Sequence, residues 1–133
     1  MSRPIRLVLA IALVAGFASC SSNEPQASRP SSSATVEIIE PQPNAVVSGD
    51  TIDIRVKLTG GRVVKEVSRN LNETEGHLHV SVDGAILSQT YGLSQEIDAP
   101  KPGKHLLQVE FVAKDHGPFE PRVLTSSPFE VKR

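Results

Sequence analysis

Thr51-Ile52-Asp53-Ile54-Arg55-Val56-Lys57-Leu58 is the stretch that decides the fold. Ile52, Ile54, Val56 and Leu58 fall on one parity; Thr51, Asp53, Arg55 and Lys57 fall on the other. Successive side chains of a strand point to opposite faces, so this alternation predicts a half-buried β-strand with one dry and one wet side. Ser48-Gly49-Asp50 precedes it and Gly60-Gly61 ends it.

The same alternation recurs on both sides. Upstream, Val36 and Ile38 share a face of Thr35–Glu40 before Pro41, Pro43 and Asn44 punctuate the chain. Downstream, residues 62–75 read as an irregular insertion with room for one helical turn. His77–Val82 alternates again, and Asp83-Gly84 supplies a hairpin turn into a strand at 85–91. A short strand is expected at 93–97. Lys104–Lys114 is the longest, with Leu107, Val109, Phe111 and Ala113 on one parity. Pro118, Pro121 and Pro128 bracket two last segments, Val123–Ser126 and Phe129–Lys132. About seven short strands and no convincing helix predict an all-β, antiparallel β-sandwich over residues 35–133. The core should be aliphatic, with Phe111 and Phe129.

Pro41-Gln-Pro-Asn-Ala-Val-Val-Ser-Gly-Asp50 and the Pro102-Gly103-Lys104-His105 start of the long strand resemble bacterial immunoglobulin-like domains. Gly76-His77-Leu78-His79, Asp115-His116-Gly117-Pro118 and Pro121 resemble the Gly-His-x-His and His-x-Pro-x-x-Pro segments of uncharacterised secreted immunoglobulin-like domains. That resemblance implies the fold and export, and no established chemistry.

The N-terminus reads as an address. Arg3 and Arg6 precede an apolar run, Leu7–Phe17, of 11 residues. A bilayer span needs about 20, so this is a secretory signal, residues 1–19. Phe17-Ala18-Ser19-Cys20 resembles the lipobox of bacterial lipoproteins, with Phe17 where Leu is usual. The resemblance implies cleavage before Cys20 and its acylation (palmitate and related chains). Several acyl chains hold a protein at a membrane stably where one does not. The predicted localisation is export, with a lipid anchor in the cell membrane or outer membrane and the domain facing periplasm or exterior; Ser21 rather than Asp permits the outer membrane. Residues 20–34, rich in Ser and Pro, read as the acylated Cys and a disordered tether.

Composition excludes several classes. The 133 residues carry 14 Lys plus Arg against 15 Asp plus Glu, which leaves no basic footprint for nucleic acid. One Cys excludes an internal disulfide framework and Cys-rich metal sites. No nucleophile elbow, phosphate loop or metalloprotease helix is present. Asp115, His116 and Ser126 or Ser127 make a poor triad, because neighbours on a strand face opposite ways. The chain is therefore read as non-enzymatic. Sugar platforms are nearly absent, with Tyr91 and Phe119 the only candidates.

The histidines carry the functional expectation. His77 and His79 share a face, their Cβ atoms about 6.5–7 Å apart. If the long strand pairs antiparallel with 77–82 and runs on unbulged, His116 falls beside them on the outer face, near Glu75, Asp115 and Glu120. His105 falls at the far end, near Asp83. His77, His79 and His116 thus form a candidate surface site for Zn(II), Cu(II) or Ni(II). Cu(I) is disfavoured, because the only Met is Met1 and the only Cys is the one that the lipobox resemblance implies is acylated. The alternative is a structural or protein-interaction module of the cell envelope, with an envelope protein as partner and solvated histidines.

Overall fold

The computed structural model describes residues 28–132; the signal, Cys20 and the tether to residue 27 lie outside them. Nine strands and no helix make up the described residues. They are β1 (Thr35–Glu40), β2 (Ala45–Ser48), β3 (Thr51–Thr59), β4 (Arg62–Val63), β5 (Glu75–Val82), β6 (Ala85–Thr90), β7 (Ser94–Asp98), β8 (Gly103–Ala113) and β9 (Pro118–Lys132). Two sheets face each other. One has the order β1-β3-β7; the other runs β2-β9-β8-β5-β4, with β6 also paired to β5.

The inward parity of each strand meets in the middle. Ile52, Ile54 and Val56 of β3 pack with Leu78 and Val80 of β5, Leu107, Val109 and Phe111 of β8, and Phe129 and Val131 of β9. The antiparallel pairing expected from the sequence sets Gly76 against Ala113, His77 against Val112 and His79 against Glu110. Phe119 is fully buried and stacks on Phe111, centroids 5.3 Å apart. It is a third core aromatic, not a sugar platform.

Four expectations are corrected. The insertion at 62–75 holds no helical turn; its only regular piece is β4, paired parallel to Glu75–Gly76. The two last segments fuse into one strand, β9. Its prolines are tolerated because β2 pairs only with Phe129–Lys132, so Pro121 and Pro128 lie outside that ladder and owe it no N–H. A further strand, β2, pairs parallel to the end of β9, so the chain leaves one sheet after β1 and enters the other across the Pro41–Asn44 break. Finally, the domain begins before Thr35. Ala34 lies in the core, the Ser32 hydroxyl donates to the Glu73 carbonyl, and the Glu120 N–H donates to the Pro30 carbonyl, 2.9 Å away. Residues 29–34 are docked on the sandwich and are not part of a free tether.

Candidate functional site

The three histidines meet, but not as strand parity alone foresaw. His77 and His79 project from β5 on the face opposite the core. This outer face is not open at the His77 end. The loop before β5 crosses it: the Ser68 N–H donates to the Lys114 carbonyl (3.2 Å), and Lys114 Nζ lies 3.7 Å from Glu66 and 3.2 Å from Glu75. Val112 and Lys114 are buried beneath it. His77 is 0% exposed, which corrects the expectation of a solvated surface residue. Gly76 explains itself here, since a Cβ would run into the Val112 carbonyl.

His116 arrives from a turn. β8 ends at Ala113, and the Ala113 N–H donates to Gly117 while the His116 N–H donates to Ala113, both at 2.9 Å. His116 has φ 62°, a left-handed conformation that costs a non-glycine residue about 1–2 kcal/mol. That kink swings its ring onto the outer face. The His77 and His116 rings stack with centroids 4.3 Å apart, and His79 Nε2 lies 3.1 Å from His116 Nδ1. Tyr91 meets the His77 ring edge-on at 5.3 Å.

The protonation pattern follows from the partners. His77 Nε2 donates to the Glu66 carbonyl at 3.2 Å. His77 Nδ1 is then the bare lone pair of a neutral ring, buried and, among the described residues, without a hydrogen-bond partner. Such an orphan costs about 1–3 kcal/mol. Burial first, and then the neighbouring His116, hold the His77 imidazole below its ordinary range. The same two causes lower His79, against an opposing pull from Glu110. Both shifts favour the neutral, ligand-ready form of His77 and His79.

The carboxylates sort differently from sequence proximity. Glu75 is taken up by Arg62, Lys114 and Asn72. Asp115 is gripped by Arg29, and those hydrogen bonds hold its carboxyl down at about 2. The carboxylate that faces the site is Glu110, opposite His79, fixed in turn by Arg122. It was missed because it sits 31 residues from His79 in the chain, although the strand register implied it. His105 lies at the far end, as expected: Nδ1 is 2.7 Å from Asp83 Oδ2 and Nε2 2.7 Å from the Lys101 carbonyl.

Two nitrogens bound to one ion at about 2.0–2.1 Å lie about 2.9–3.4 Å apart for angles of 90–109°. The 3.1 Å between His79 Nε2 and His116 Nδ1 falls in that range. In the present conformation, however, the rings stack, and among the described residues no three His, Cys, Asp or Glu side chains are disposed to hold one ion. Ring rotation would be needed to bring the three nitrogens to a common point. Among the described residues no helix is long and apolar enough to cross a membrane.

No protein-family model matches the sequence, and no curated protein does. Among solved structures, fibronectin(III)-like modules of Clostridium thermocellum CbhA are similar, with a TM-score of 0.53 and 17% identity over 74% of this chain and 96% of that chain. An engineered protein is matched more loosely, with a TM-score of 0.48 and 13% identity over 75% of this chain and 20% of that chain. At 17% identity the first likeness shows the fold alone: the described residues form an all-β, immunoglobulin-like β-sandwich.

Proposed function

We propose that this is an exported, lipid-anchored, non-enzymatic binding module that takes up a divalent transition-metal ion at His77, His79 and His116. The observation that carries the reading is the pair of imidazole nitrogens at ligand-pair separation, stacked against the His77 ring, whose buried Nδ1 has no hydrogen-bond partner among the described residues. A bare imidazole lone pair in a dry site is what a metal ion satisfies. The all-nitrogen set suits Zn(II), Cu(II) or Ni(II). Binding at both nitrogens moves the N–H of the His79–His116 hydrogen bond to the other nitrogen of its own ring, and acid, which protonates the ligand nitrogens, should weaken uptake. Anchoring through Cys20 rests on the lipobox-like segment and places the module at the cell membrane or outer membrane.

Calorimetric titration of the mature chain with Zn(II) and with Cu(II), wild type against His79→Ala, tests the site. Heat in the wild type that His79→Ala abolishes is expected; no heat above buffer, or identical curves, overturns it. For the anchor, Cys20→Ser should move the protein from the membrane to the soluble fraction, and unchanged retention counts against acylation.

One observation favours a protein-interaction role instead. β6 is an edge strand, and Ile86, Leu87, Tyr91 and Leu93 on and just after it are exposed. A partner bound there, unaffected by His79→Ala or by chelator, would support that reading.

A further inference from the structure

Arg29 belongs to the stretch that its composition marks as tether, yet it makes three hydrogen bonds to the turn that presents His116. Nη1 donates to Asp115 Oδ2 at 2.6 Å, Nη2 to Asp115 Oδ1 at 2.8 Å, and Nε to the Pro118 carbonyl at 2.8 Å. A planar guanidinium matches a carboxylate bidentately, which gives the contact direction as well as strength. Asp115 Oδ1 also accepts the Gly117 N–H at 3.0 Å, so the same carboxylate closes the turn from within. The guanidinium lies so close to Gly117 that a Cβ there would come within 2.5–2.8 Å of it. The Pro30 carbonyl then receives the Glu120 N–H just beyond the turn. Both flanks of His116 are thereby held, while His116 itself sits in a left-handed conformation that an unsupported turn would relax.

We infer that Arg29 is a positioning residue for the histidine cluster: it latches residues 29–34 onto the Asp115–Pro118 turn and fixes His116 against His77 and His79. The metal-binding consequence rests on the function proposed above; the geometric consequence does not. Segment and cluster then form one unit, and undocking Arg29 would loosen the His116 ring.

The test uses the full mature chain, wild type, Arg29→Ala and Arg29→Lys. Imidazole NMR shifts of His116, His79 and His105 and amide exchange at Gly117 and Glu120 are measured without metal; Zn(II) and Cu(II) affinities are measured separately. In Arg29→Ala, the His116 and His79 shifts should move, Gly117 and Glu120 should exchange faster, and His105 at the far end should stay unchanged. Affinity should fall about 10–100-fold, the scale of losing a group that orients a ligand. Arg29→Lys keeps the charge without the fork and should show the same changes in weaker form; it decides the matter if Arg29→Ala unfolds. Wild-type His116 shifts and exchange rates in both variants would overturn the latch. Shifts that move in a protein that binds no metal would support the latch while removing the metal reading.

Discussion

Glu110 lies directly opposite His79 in the β5–β8 ladder, and Arg122 grips its carboxylate through Nε at 2.8 Å and Nη2 at 2.5 Å. The Glu110 side chain is 11% exposed while that of Arg122 is 55% exposed. Arg122→Ala therefore strands a largely buried charge. Unpartnered buried groups cost about 1–3 kcal/mol, and water reaching in from the exposed arginine side places this one at the low end. Urea unfolding should show that loss for Arg122→Ala, and a smaller one when Glu110→Gln is combined with it. Equal losses would mean that the pair is merely a surface contact.

Phe119 fills the space against Phe111 and is fully buried. Phe119→Ala should cost about 3–5 kcal/mol through lost contact and a residual cavity. A domain this size has only about 5–15 kcal/mol in total. A thermal melt should show a fall in Tm of more than about 10 °C; a shift of a degree or two would contradict the packing described.

Gly76 admits no side chain, because a Cβ there would collide with the Val112 carbonyl. Gly76→Ala must push β5 away from β8 at the point where His77 leaves the strand. Expected are a loss of several kcal/mol, as for other forced overpacking, and a disturbed His77 imidazole signal. Gly84→Ala is a useful contrast: there nothing lies within 4 Å and only the backbone φ of 84° resists.

His105 and Asp83 give a pH signature far from the histidine cluster. The hydrogen bond that His105 donates to Asp83, then that to the Lys101 carbonyl, raises the His105 pKa above 6.5. The His105 contribution is therefore complete below 6.5 and is lost as pH rises through the raised folded value. Asp83 is lowered, first by His105 and then by the Leu106 N–H, so its contribution is complete above 3.8 and is lost as pH falls through the depressed value. Asp83→Asn, which tolerates the φ of 52°, should destabilise most near pH 5–6 and progressively less in alkali. A difference from wild type that is flat from pH 5 to 9 would show that the pair carries no charge-dependent stability.

Strand parity made the sandwich legible: β3 buries one side of an alternating run, and Leu78 and Val80 of β5 and Leu107, Val109 and Phe111 of β8 keep the same inward parity, although their outer faces are largely covered too. Parity also put His77 and His79 side by side and sent His105 to the other end. His116 was placed in the right neighbourhood for an incomplete reason. The long strand stops at Ala113, and a left-handed residue, not continued alternation, delivers the ring. Burial of His77 was invisible because it depends on the loop before β5 and on Tyr91, contacts made across the fold. Arg29 was hidden for the same reason: its partner lies 86 residues away, and Ser/Pro composition around it argues for disorder.

The parallel register of Ala45–Ser48 against Phe129–Lys132 joins almost the first strand to the last. A chain that emerges N-terminus first cannot complete this flank until residue 132 is free, and until then β2 has no neighbour and Phe129 and Val131 are missing from the interior. Vectorial synthesis thus leaves a sandwich with one open seam, and closure is a late, whole-molecule event.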